Sequence, residues 1–223
     1  MHYRTCQASG CWAPSASSVA IYCRSHRTAL RRHGAVDQKA ITKAQLKPYL
    51  KMVADRIAKN PDNQAWATLD SRWPALVDYA KEIVGYFEGG KAGDKYKLMA
   101  AREVVKLSGE VKSRDVVEVV AAMVLMGILE PRSFKCQEAL WIQLARRVRS
   151  LSDLHVGERW DPNRQRVRRC YRDFSPKAAL YFGHWLASGL GIGGQGIAKA
   201  EEAERERKAK EGRELREALS KLV

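Results

Sequence analysis

Four residues near the start of the chain have the types and spacing for metal chemistry: Cys6, Cys11, Cys23 and His26. They read Cys-x4-Cys, eleven intervening residues, then Cys-x2-His. Zinc in a structural role takes a closed tetrahedron of thiolate and imidazole, and two short-spaced pairs can supply one. The first pair encloses Gln7, Ala8, Ser9 and Gly10, and Gly10 permits the tight turn of a knuckle. Cys23 and His26 are three apart, so both can lie on one side of a first helical turn, ahead of a stretch of helical composition at 28–32. Residues 19–22 have β-forming character and suit one arm of a short hairpin. A segment with so few large aliphatics cannot build a core unaided. Four protein ligands leave no position for a reactive water, so the expected cofactor is one structural Zn2+ per chain, not a hydrolytic one.

The stretch 4–34 resembles a small treble-clef-like zinc finger. The residues that carry the resemblance are Cys6-x4-Cys11, then Tyr22-Cys23-Arg24-Ser25-His26, then Arg31-Arg32-His33-Gly34. Such fingers are common in proteins of bacteriophages and other bacterial mobile elements. They are often N-terminal and attached to HNH-type nuclease or other DNA-binding domains. The resemblance implies Cys6, Cys11, Cys23 and His26 as ligands and sets Arg31 and Arg32 on the helix that follows. Arg24 and Arg27 join them as candidate phosphate contacts. Ile21 stands where that finger would carry a glycine. Downstream, His155 and His184 are isolated and lack the adjacent His or Asn of an HNH site, so nuclease activity is not carried over and no enzyme is expected. His2 and His33 are spare imidazoles. His33 precedes Gly34, a helix C-cap signal, which suits a packing or phosphate-facing role.

The charge balance points the same way. The 223 residues hold 40 Lys and Arg against 25 Asp and Glu, a net of +15 with a pI near 9.8. The excess is local: residues 1–51 carry +8, 52–130 carry −1, 131–177 carry +7 and 178–223 carry +1. Two basic blocks flank a near-neutral, apolar-rich one, which favours a phosphate-facing surface over general solubilisation. Within the second block, Arg146, Arg147 and Arg149 end a predicted helix. Asp161-Pro162-Asn163 signals a turn. Arg164, Arg166, Arg168, Arg169 and Arg172 then interleave with Val167, Cys170, Tyr171 and Phe174. Helical spacing would set Arg164, Arg168 and Arg172 on one ridge and Arg166 and Arg169 on the next. Clustered guanidinium groups repel unless an anion neutralises them, and a phosphate backbone does so. Trp160 and Tyr171 are expected to pack, with stacking on single-stranded bases as the other role.

The elements that must position these groups read as helices. Pro48 opens one with Leu50, Val53 and Ile57 inward, and Asn60-Pro61 stops it. Asp62 is a candidate cap for the segment that follows, and Pro74 opens the next helix. Residues 89–93 make a turn, after which Asp94 caps a helix that breaks at Ser108-Gly109. Ser113 caps a very apolar helix ending at Leu129. Its residues 116–126 offer almost nothing to base edges, so it reads as a buried bundle helix and not as a recognition helix. Ser133 starts another, and Ser175-Pro176 a further one that carries His184 as a packed histidine. Gly189 to Gly196 contains Gly-x-Gly-x-x-Gly, but a helix and not a strand precedes it, so it reads as a flexible hinge. A charged helix follows, with Leu215, Leu219 and Leu222 as a short stripe for a partner or a second copy.

The expected fold is therefore mainly α: a zinc finger at 1–36, a helical bundle at 37–188, a glycine hinge at 189–196 and a projecting charged helix at 197–223. Its longest apolar run, residues 116–129, is too short to span a bilayer, and the polar N-terminus lacks a signal peptide, so a cytoplasmic setting (a bacterial cell or an infected host) is expected. Five cysteines, with Cys136 and Cys170 dispersed, do not make a disulfide framework. The expected function is nucleic-acid binding, DNA before RNA, in a regulatory or accessory role of phage or mobile-element type. A protein-interaction adaptor that modulates a host or defence complex is the alternative.

Overall fold

The computed structural model describes residues 4–153, 157–170 and 174–220. It is mainly helical. The helices are α1 (Arg24–His33), α2 (Lys43–Lys59), α3 (Gln64–Glu88), α4 (Lys95–Ser108), α5 (Ser113–Leu129), α6 (Gln137–Arg149), α7 (Pro176–Leu190) and α8 (Ile192–Ser220). A short 3-10 turn, Pro131–Ser133, precedes α6, and one antiparallel hairpin, β1 (Gly157–Asp161) and β2 (Arg166–Cys170), separates α6 from α7. Among the described residues no helix is long and apolar enough to cross a membrane.

Helix α5 is the axis of the bundle. Ten consecutive core positions from Val116 to Met126, with only Glu118 between them, are buried. A helix apolar on every side must be covered on every side, and α2, α3, α6, α7 and α8 all pack against it. The expected buried central helix is thus what forms. Glu118 lies partly buried there, and the loss of water around it raises its pKa. Polar caps set the entries: Thr42 and Gln45 make a reciprocal capping box on α2, Asn63 accepts from the Ala65 amide, and Asp94 accepts from the Tyr96 amide.

The structure departs from the sequence expectations in several places. Pro48 and Pro74 do not open helices but lie inside α2 and α3. In α3 the buried stripe Trp66, Leu69, Trp73, Val77, Ala80 and Ile83 continues unbroken through Pro74, so packing outweighs the lost amide. Asn63, not Asp62, caps α3, and α6 starts after Cys136 instead of at Ser133.

The glycine segment is not a hinge. α7 ends at Leu190 and α8 begins at Ile192, with Gly193 and Gly194 buried against the bundle. A Cβ on Gly194 would stand 2.5 Å from the Ala121 carbonyl and 2.8 Å from Val124 Cβ. The glycines therefore let α8 lie close on α5. Arg56 of α2 holds the next turns through Glu201 (2.5 Å) and Glu204 (3.2 Å). Further out the helix projects, with residues 205–217 exposed except Gly212. Leu215 is exposed there; the side chain of Leu219, and Leu222 altogether, lie outside the described residues.

Most consequential for function, 157–170 is a hairpin and not an arginine-ridged helix. The turn signal at Asp161-Pro162-Asn163 forms, with the Asn163 amide donating to Asp161 Oδ1 (3.1 Å) and Gln165 at positive φ. Because it reverses the chain, Trp160 pairs with Val167, Asp161 with Arg166, Arg159 with Arg168 and Glu158 with Arg169.

Candidate metal centre and basic surface

The ligand atoms of Cys6, Cys11, Cys23 and His26 lie within 4.8 Å of one another. His26 Nδ1 is 3.4 Å from Cys6 Sγ and 3.3 Å from Cys23 Sγ. A tetrahedral zinc with the usual bond lengths sets sulfur and nitrogen about 3.6 Å apart, so the donors stand close to where a metal would hold them. The backbone fixes the first pair: the Cys6 amide donates to the Ala13 carbonyl (2.9 Å), the Cys11 amide to that of Ala8 (3.0 Å), and Thr5 bridges to Pro14. The second pair sits at the start of α1, with Cys23 as its N-cap. Cys6, Ala8 and Cys23 form a small core separate from that of the bundle.

The surroundings favour the thiolate at Cys23 and Cys6 and the thiol at Cys11. The Ser25 hydroxyl, 3.1 Å from Cys23 Sγ, and then the His26 amide bring the Cys23 pKa down to about 6. Burial opposes ionisation of Cys6, but the amides of Cys23 and Ala8 and the His26 ring outweigh it and lower its pKa. The amide of Ala13 favours the Cys11 thiolate, yet burial and the neighbouring sulfurs raise its pKa. Hydrogen bonding to Cys6 raises that of His26 against the effect of burial. Three sulfurs and an imidazole gathered this closely are the donor set of a structural metal site, and binding a metal would deprotonate the thiols. The described residues therefore contain one Cys3His group placed to bind a metal ion, as the spacing implied.

The finger is docked on the bundle through α6. Gly34 ends α1 at φ +91°, and a Cβ there would sit 2.7 Å from Ala139 Cα. Gln143, almost fully buried, accepts the Ile41 amide on Oε1 (3.2 Å), so its Nε2 donates to His33 Nδ1 (3.1 Å). This fixes His33 as neutral with its proton on Nε2. Burial, then Arg146 and Arg32, lower the His33 pKa in agreement. Gln38, also buried, bonds the Lys39 and Ser133 carbonyls and the Lys135 amide, and Asp37 pairs with Lys135 (3.3 Å). Neither glutamine was recognisable beforehand as a docking residue. Gln143 falls inside the apolar stripe of α6, where an amide in sequence looks like a solvent-facing residue.

Docking brings basic residues of both blocks together. Arg31 and Arg32 of α1 and Arg146 of α6 line one cavity of about 140 Å³ beside Ser175 and Pro176. Arg146 donates to the Arg32 carbonyl (3.4 Å). A shallow groove of about 610 Å³ runs along α1 past Arg24, Thr28, Arg32, His33 and Lys39. Another, of about 510 Å³, lies between residues 13–16 and the first turn of α1. Arg24 and Ser25 border both grooves, and Arg32 borders the first groove and the cavity, so the three adjoin through shared residues. Arg27 is exposed on the same helix.

The other arginines are placed differently. Arg149 is engaged by Glu103 (2.5 Å) and lies over the Phe174 ring. Arg147 is half-buried, and burial followed by Arg146 lowers its pKa; its Nε has no acceptor among the described residues. Arg164 and Arg166 are exposed at the hairpin turn and β2. The side chains of Arg168 and Arg169 lie outside the described residues, as do Arg172, Tyr171, His2 and His155 entirely. Trp160, expected to pack, is exposed. His184 touches Trp141 edge to face at 4.9 Å but stays largely exposed. Comparison of the chain with protein-family models, with curated proteins and with solved structures gives no match.

Proposed function

We propose that this chain binds nucleic acid, DNA in the first place and RNA as the alternative, through a surface shared by a zinc finger and a helical bundle. The metal is zinc, one per chain, held by Cys6, Cys11, Cys23 and His26. Its role is structural, since four protein ligands complete the tetrahedron. The finger is of treble-clef type, a reading supported by a knuckle that holds one ligand pair and a helix start that holds the other.

The observation that carries the function is that basic residues of the two blocks meet on one surface. Arg24, Arg31 and Arg32 come from the first basic block and Arg146 from the second, and adjoining depressions join them. Guanidinium groups gathered on one surface can each take a phosphate and release its counterions on binding. Phosphate contacts set orientation, and the finger with its adjoining loops supplies base contacts. An accessory or regulatory role in a phage or mobile element agrees with the resemblance of the finger. Fluorescence polarisation against duplex DNA, single-stranded DNA and duplex RNA at two salt concentrations tests the reading. Salt-sensitive binding to at least one polymer supports it; no binding to any of them at low salt contradicts it.

A further inference from the structure

The finger carries large apolar side chains that its own core does not use. Trp12 is 89% exposed, Val19 85% and Ile21 52%, while the core of the finger consists of Cys6, Ala8 and Cys23 with Cys11, Tyr22 and Val36 against it. An indole offers one of the largest apolar surfaces of any side chain, and leaving it in water forgoes that stabilisation. The Trp12 backbone is held on both sides, by the Cys11 amide on the Ala8 carbonyl and by the Cys6 amide on the Ala13 carbonyl. The ring is thus displayed from a rigid knuckle, so little ordering is needed when something covers it.

Its setting narrows what that something is. In sequence Trp12 immediately precedes Ala13, one of the residues that line the groove between 13–16 and the first turn of α1, and that groove shares Arg24 and Ser25 with the next one along α1. Residues 1–36 contain no Asp or Glu. A partner that satisfies both features is anionic and presents flat π faces. Duplex DNA keeps its base faces stacked inside and offers only edges. An acidic peptide presents a ring only where it happens to carry an aromatic residue, whereas a single strand has one base for every phosphate. A single strand supplies phosphates for the arginines and an unpaired base for the indole. The hairpin also exposes an indole, Trp160, paired across the strands with exposed Val167, while Arg164 in the turn and Arg166 on β2 are exposed as well.

We propose that Trp12 is a stacking platform for an unpaired base and that the polymer on the basic surface is single-stranded nucleic acid. This rests on the nucleic-acid reading above and specifies the form of the polymer. The test uses full-length, zinc-loaded protein with a 20-nucleotide oligo-dT, a 20-base-pair duplex and phosphatidylserine vesicles at matched ionic strength. Wild type binds the single strand more tightly than the duplex. Trp12→Ala weakens single-strand binding about tenfold, the range of one stacked base, and changes duplex binding less than twofold. Trp12→Phe keeps most of the affinity. Quenching of tryptophan fluorescence by oligo-dT diminishes in Trp12→Ala, and unchanged zinc content and far-UV circular dichroism show that the variant is folded. Equal losses on single strand and duplex, or no loss on either, overturn the stacking role while leaving the basic surface standing. Binding to vesicles but to neither nucleic acid overturns both readings.

Discussion

Replacing Gly34 by Ala separates the finger from the bundle with the smallest possible change. Gly34 adopts φ +91°, a conformation that costs an L-residue about 1–2 kcal/mol. The new Cβ would also meet Ala139 Cα at 2.7 Å and Ala139 N at 2.9 Å. Carbon contacts settle at about 3.5–4.0 Å, and the obstacle is helix backbone, so α1 must move away from α6 by about 1 Å. That stretches the His33–Gln143 bond (3.1 Å) and the Arg146 bond to the Arg32 carbonyl (3.4 Å), each worth roughly 0.5–1.5 kcal/mol. The total is about 2–5 kcal/mol. Gly90→Ala is the control, since Gly90 has φ +77° but a Cβ there meets nothing within 4 Å. Denaturant unfolding should show Gly34→Ala less stable than Gly90→Ala by about 1–3 kcal/mol. Elemental analysis should still find one zinc per chain, and nucleic-acid affinity should fall in Gly34→Ala only. Equal destabilisation by the two substitutions, with affinity unchanged, would refute the docking argument.

Cys23→Ala should release the zinc and unfold the finger, whose small core contains that residue; far-UV circular dichroism should retain the helical signal of the bundle, and its complete loss would show that the finger and bundle fold as one unit. The His33 pKa is depressed in the fold, so the neutral ring contributes stability that is present above about pH 6.5 and lost as pH falls through the folded-state value. His33→Asn keeps an acceptor for Gln143 and should remove that part of the acid-side fall in melting temperature; superimposable pH profiles would contradict the tautomer assignment. Pro74→Ala restores an amide inside α3 and should raise stability by about 1–3 kcal/mol in thermal or denaturant unfolding, whereas a neutral or negative effect would mean that the helix bends there to advantage.

The sequence disclosed the parts whose physics is local. The ligand set was legible because metal geometry imposes spacing, and α5 because an apolar run of helix length must be buried. The cap at Asp94, the stop at Asn60 and the C-cap at Gly34 were legible for the same reason. What could not be read depends on partners distant along the chain. Pro74 looked like a helix start until α4, α5 and α7 were there to cover the stripe on both sides of it. Gly193 and Gly194 looked like a hinge because their function is to admit Ala121 and Val124. The arginine stretch at 164–172 satisfied helical spacing by count alone, while the real signal was Trp160 and Val167, two β-formers placed symmetrically about the turn at 162–165. Gln38 and Gln143, which dock the finger, carry no local signature. Trp12 carries no signal in the sequence, because an exposed indole becomes visible only when the core that could have held it is known.

The central claim is that arginines of the finger and of the bundle grip one polymer together. Its most direct measurement is the slope of log binding constant against log salt concentration for oligo-dT, in wild type, Arg32→Ala, Arg146→Ala and the double variant. If Arg24, Arg31, Arg32 and Arg146 each neutralise one phosphate, the wild-type slope is about −3, each single substitution reduces it by about 0.7 and the double by about 1.4. A slope that responds to Arg32→Ala but not to Arg146→Ala, or to neither, would contradict a surface shared between the two.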